Sequence, residues 1–398
     1  MTRRAMLIAS VLVLVLTLAA LTALGQSLVE LRSTTYPPEQ DGGWLLLTAF
    51  ALLTVLPFVP GLLEVALPRD RYPLPIDLAY SKDPRYMGRH ARELLAGALA
   101  VGPDGEPLAA PREAGLHEVT MSRRETIEIR DGLDLPAEEH LDMLTCVRGD
   151  AVLGEGARCD EDLHVDGVTR LGRDAFVRSL ASGGAVEVGP GARIVRWLDA
   201  DGDIDAARGA DLGANAATDA VLRMADGVTF RRLWGVPILT EGHDGAPPKP
   251  QTPSTAVRHD PAGETEIDGH VTRHDGDLLL DVVSNDPVRP LVVRGDCEIA
   301  DGVVFRDSVK VYGGLILGKG SVILGDVFAE DDVVLGEDAV VEGNVFTQSS
   351  VAVHKGARVG TPGRRTSLVA RKNVTIGAAA SIYGYVLTDG EGVVKCDA

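Results

Sequence analysis

A seven-residue pattern returns ten times between Leu153 and Ile382, and a chain that repeats itself at this interval has few folds open to it. An aliphatic residue, usually Gly or Ala, two variable positions, a small residue, one more variable position and a second aliphatic follow in order. The pattern reads LGEGARC from Leu153, LGRDAFV from Leu171, VGPGARI from Val188, AARGADL from Ala206 and MADGVTF from Met224. A second block reads IADGVVF from Ile299, LGKGSVI from Leu317, LGEDAVV from Leu335, VHKGARV from Val353 and IGAAASI from Ile376. The steps are 18, 17, 18 and 18 residues in the first block and 18, 18, 18 and 23 in the second. Units this short bury their apolar side only against neighbouring copies, which makes the chain a solenoid.

A finer period identifies the type. Inward-type residues fall in pairs two apart, every six residues: Val309 and Val311, Leu315 and Leu317, Ser321 and Ile323, Val327 and Ala329, Val333 and Leu335, and so on through Ala339/Val341, Val345/Thr347, Val351/Val353 and Ala357/Val359. Alternation of two is the signature of strands. Three hexads make one coil of 18 residues, so the fold class expected is an all-β solenoid, a three-sided β-helix with Gly, Asp or Asn at its corners. The 45 glycines and 4% aromatic content suit such a fold of corners and small aliphatics. A formal charge of −19 leaves no basic stripe for nucleic acid, which is excluded as a partner. The four cysteines lack C-x-x-C spacing, and Cys159 and Cys297 occupy inward positions as small core hydrophobes.

Ahead of the repeats, Ala5–Leu24 and Trp44–Leu63 are uncharged runs long enough to cross a bilayer core. Arg3 and Arg4 precede the first; Arg69, Arg71, Lys82, Arg85 and Arg89 follow the second. The sequence therefore predicts a two-helix transmembrane hairpin in contact with the lipid bilayer through residues 5–24 and 44–63, in the inner (cytoplasmic) membrane, with the soluble part cytoplasmic. A cleavable signal peptide ending near Ala23-Leu24-Gly25 is the competing reading, but the apolar run exceeds a usual h-region. The expected organisation is a hairpin over 1–70, a juxtamembrane region over 71–140, a first repeat block over 141–235, a Pro-rich linker or excursion over 236–290 and a second block over 291–398. Within 71–140, a short helix is expected around Arg89–Ala100, and Val119, Met121, Ile127 and Ile129 suggest a strand or two.

Candidate chemistry is sparse. Asp199, Asp201, Asp203 and Asp205 resemble a calcium loop, but Gly202 is at the fourth position where an EF-hand needs Gly at the sixth, and Ala210 takes the place of the bidentate Glu, so a charged corner is preferred. His270 and His274 lack a third zinc ligand. His354 replaces the small residue of the repeat and is the one candidate base. Arg364, Arg365, Arg371 and Lys372 fall in the expanded last step and predict a small basic loop, usually solvated. No catalytic residue, metal ligand or cofactor is expected.

More telling are the outward positions of the second block. Val304, Val322 and Val340 recur on one side, Phe328 and Phe346 on another, Ile316 and Val334 on the third, which draws apolar stripes along an acidic rod. Such stripes mark contact surfaces, to be covered by the other block, by another subunit or by another filament. Phe328, Phe346, Val322, Val340 and Val334, with Val386 in the last coil, are the expected self-association residues.

The segment Arg294–Gly360, with its G-D-V-x-A-E-D-x-V-x-x-G rhythm, resembles the bactofilins, the polymer-forming cytoskeletal proteins of bacteria. The resemblance implies a β-helical domain that assembles into filaments without nucleotide and acts as a scaffold rather than an enzyme, with itself and unidentified recruited proteins as partners. The hexads also look like those of hexapeptide-repeat acyltransferases, β-helical trimers that use a His. Against that alternative, His354 stands alone as a candidate base and no nucleotide- or sugar-binding domain is evident.

Overall fold

The computed structural model describes residues 50, 53–54, 83–101, 106, 108, 112–120, 124–243, 264–268, 271–280 and 289–396. From Gly115 onward they wind into a β-solenoid of about 13 turns. In the second block one side of the coil stacks Leu291–Val293, Val309–Val311, Val327–Ala329, Val345–Thr347 and Thr366–Ala370. A second side stacks Cys297–Ile299, Leu315–Leu317, Val333–Leu335, Val351–Val353 and Val374–Gly377, and the third Val304–Phe305, Val322–Ile323, Val340–Val341 and Arg358–Val359. All these pairings are parallel. All eighteen inward positions read from the hexads between Val309 and Val359 are buried.

The repeat motif is a corner. Its fourth residue takes a left-handed conformation in every copy: Gly156, Asp174, Gly191, Gly209, Gly227, Gly302, Gly320, Asp338, Gly356 and Ala379 have φ between 53° and 75°. That region penalises a Cβ, which is why seven of the ten copies place Gly there, with Asp at two and Ala at one. Glu138, at 62°, marks an eleventh corner whose sequence, LPAEEHL, hides the pattern. Corner carboxylates tie one coil to the next: Asp150, Asp203, Asp296, Asp301, Asp326 and Asp332 each accept a hydrogen bond from a backbone N–H 18 residues on. These six aspartates are thus part of how the coil is built.

The two blocks share one hydrophobic core and meet at their C-terminal coils. Thr229–Thr240, which ends the first block, pairs antiparallel with Ser381–Lys395, which ends the second. Contact runs over all three sides of the coil, through Phe230 and Gly392, Leu233 and Val386, and Ile238 and Ile382. The chain runs opposite ways round the coil and opposite ways along the axis in the two blocks, so both are wound with the same hand. At its outer end each block carries an antiparallel hairpin, Gly115–Thr120 with Arg124–Arg130 in the first and Glu264–Asp268 with Val271–Asp275 in the second.

The expectation of a two-helix transmembrane hairpin is corrected. No helix among the described residues is long and apolar enough to cross a membrane, and the one helix traced in full, α1 (Tyr86–Leu99), has 14 residues. Apart from residues 50, 53 and 54, the runs 5–24 and 44–63 lie outside the described residues, as does the Pro-rich stretch 244–263. Arg85 and Arg89, read from the sequence as a cationic flank of a span, belong to the solenoid instead.

Candidate functional sites on the solenoid surface

On one side of the first block the outward column runs Ile129, Cys146, His164, Ala181, Asp199, Ala217 and Trp234, each paired with the next along the stack. Helix α1 lies across it. Leu95 packs with Ile127, Ile129 and Cys146, while Gly88 meets Asp199 so closely that a Cβ would sit 2.2 Å from the Asp199 Cβ. The Arg85 guanidinium is bidentate to Asp199, through Nε at 2.9 Å and Nη2 at 2.8 Å, and also reaches Asp201 and Asp219. Arg92 joins Asp199 at 2.6 Å and Asp201 at 3.1 Å, and Arg89 bridges Asp83 and Asp219, both at 2.8 Å. Three cations thus meet four carboxylates around a buried pair, and the helix is clamped by charge-assisted hydrogen bonds. Burial of Arg85 works against its charge, but the hydrogen bonds and charge of Asp199 outweigh it and raise its pKa. Partial burial likewise opposes ionisation of Asp201, yet Arg85 and Arg92 hold it below the usual carboxylate range.

This network accounts for the aspartate run that looked like a calcium loop. Asp199 and Asp201 hold α1, and Asp203 and Asp205 both pair with Arg223. Sequence reasoning missed the clamp, although a signal was present. Arg85, Arg89 and Arg92 are spaced four and three apart, which puts them on one face of a helix.

The other sequence-predicted residues separate into exposed and buried groups. Phe328 and Phe346 stack with ring centroids 5.4 Å apart, and Phe328 is 42% exposed. Their column continues through Val369 to Leu387. Val322 and Val334 are half-buried, and beside Val334 on its own side Ile316 is 48% exposed. Val340 is buried, and Arg358 follows it in register, which ends that stripe. Val386 is fully buried: it faces the core, and its coil is paired with the first block. The structure therefore brings Phe328 and Phe346 together and sets Val386 apart from them.

His354 stands exposed at a corner, whereas His274 is buried on a strand with its Nε2 3.2 Å from the Asp277 carbonyl; His270 lies outside the described residues. Of the basic loop, Arg365 lies over the Trp234 ring of the first block and Lys372 donates to Ser349 at 3.0 Å. Burial pushes the thiols of Cys146, Cys159 and Cys297 up to about 11, 12 and 12, the condition of inert core residues. No group of acidic, His or Cys side chains among the described residues is arranged to hold a metal. Compared with known proteins, the chain matches no family model, no curated protein and no solved structure.

Proposed function

We propose that the protein is a scaffold that self-associates laterally through the second block, in keeping with the resemblance of Arg294–Gly360 to the bactofilins. The supporting observation is the Phe328–Phe346 stack, an aromatic pair standing on the outside of an acidic rod. Aromatic surface at such a position gains several kcal/mol when a partner covers it, roughly 25 cal/mol per Å². In the first block the corresponding apolar ground under α1 is already covered. Because the C-terminal coil is paired within the chain, growth from that end is replaced by side-to-side contact. The chemistry needs no nucleotide, since packing alone supplies the association.

Sedimentation velocity and negative-stain microscopy of the full chain, without nucleotide, test the proposal. The wild type should form large assemblies. The Phe328→Asp/Phe346→Asp variant should run as small species with unchanged circular dichroism, because both rings lie outside the core. A wild type that stays monomeric at high concentration overturns the reading, and a discrete trimer favours the acyltransferase-like alternative.

A further inference from the structure

A cavity of about 640 Å³ lies between α1 and the outward column of the first block, within the size range of small-molecule sites. Leu95, Leu99, Ile129 and Cys146 give it an apolar side. Arg92, Arg112, Arg148, His164, Asp166 and Asp201 give it a polar one. Two of these side chains have unmet hydrogen-bonding capacity. His164 is 6% exposed, and its enclosed Nδ1 has no hydrogen-bond partner among the described residues. Arg112 donates from one terminal nitrogen to the Val101 carbonyl at 2.6 Å, but its enclosed Nε has no acceptor there. Orphaned polar groups in an enclosed site are costly unless something pairs with them.

Charge narrows the choice of occupant. Arg92 is engaged by Asp199, Asp201 and the Ser182 carbonyl, whereas among the described residues Arg148 pairs only with Asp131, at 3.5 Å. Arg92 and Arg148 thus have carboxylate partners, while Arg112 has none among the described residues, so the cavity offers one guanidinium for a single added negative charge. The apolar side asks for a hydrocarbon body. We infer that the cavity binds a monoanionic amphiphile, a medium-chain carboxylate whose head is held by Arg112 and Arg148 beside His164 and whose chain lies on Leu95, Leu99, Ile129 and Cys146. This inference is independent of the scaffold reading.

Isothermal titration of the full chain with decanoate, kept below its micelle concentration, is the test, with decanol as the uncharged control. Saturable binding at one site per chain is expected, with decanol weaker by at least about tenfold, the loss that follows removal of a charged hydrogen bond. Arg112→Gln should weaken decanoate by a similar factor, and Ala181→Met, which fills the cavity from the outward column, should abolish binding. Thermal melts establish that both variants fold. Absence of saturable binding to the wild type overturns the inference. So does equal binding of decanol, or binding that neither substitution in a folded variant disturbs.

Discussion

Lowering the pH from neutrality towards 5 should loosen the first block, and His164 is the reason. Burial under α1 pushes its pKa down from 6.5 to about 4, with the nearby charge of Asp162 raising it and that of Arg92 lowering it further. Arg112, Arg148, Asp166 and Asp201 complete its charged surroundings. Above the unfolded value near 6.5 the ring is neutral in both states and contributes nothing to pH dependence. As pH falls between 6.5 and 4 the unfolded chain takes up a proton that the folded chain refuses, so stability falls. From these two values the loss between about pH 7.5 and about pH 5 comes to about 2 kcal/mol. Asp201 and Asp219, which have depressed pKa values, act in a separate window. Their contribution is present above the ordinary 3.8 and is lost only as pH falls below it, through their folded values.

Urea unfolding followed by tryptophan fluorescence at about pH 7.5 and about pH 5 measures the effect, because Trp197 lies 6.2 Å from the His164 ring. Wild type should lose about 2 kcal/mol more than His164→Gln across this range, since glutamine cannot titrate. The other carboxylates and histidines contribute equally to both proteins and cancel in the comparison. Parallel pH dependence in the two proteins would refute the assignment of a buried, neutral His164.

Two further outcomes follow from the packing. Arg85→Met leaves Asp199, only 3% exposed, without its bidentate partner; it should cost about 3–5 kcal/mol by chemical denaturation, whereas Arg85→Met with Asp199→Leu should recover much of the loss. Val386→Lys puts a charge where the two blocks share their core opposite Leu233; limited proteolysis should then release the blocks from each other, and resistance equal to wild type would contradict the junction.

The coil itself was legible because its information is local. A strand turns every second side chain inward, so hexads of valine and leucine state the phase directly, and the left-handed corner favours Gly at one motif position. Corner Glu138 escaped because the same conformation is held there by a residue that does not advertise it. Long-range features were harder. Nothing in the tail after Ile382 distinguishes a strand edge awaiting another molecule from one paired with Thr229–Thr240, since both need only the same β-forming residues. In hindsight the glycines at the junction are a trace of it: Gly235 faces Gly384, and Gly384 has φ of 138° with its Cα against the Thr366 backbone, where a Cβ would lie 2.2 Å from the carbonyl oxygen. The membrane hairpin was inferred from runs that lie almost wholly outside the described residues, while part of its cationic flank, Arg85 and Arg89, is engaged by solenoid carboxylates.

The meeting of the two blocks also explains why the chain needs a long segment between them. The first block ends at the junction with Thr240, yet the second begins at its far end, with Thr272 six strand spacings from Val386 on the same side of the coil. At about 4.8 Å per spacing that is about 29 Å. Twenty residues, 244–263, separate His243 from Glu264, and a chain of that number spans up to about 70 Å at about 3.5 Å per residue, more than this distance. A tight turn of a few residues could not span it. An antiparallel meeting of two solenoids with one hand sets the start of the second block at the end away from the junction, and the segment that links them carries prolines 247, 248, 250, 253 and 261, which cannot donate to a strand ladder.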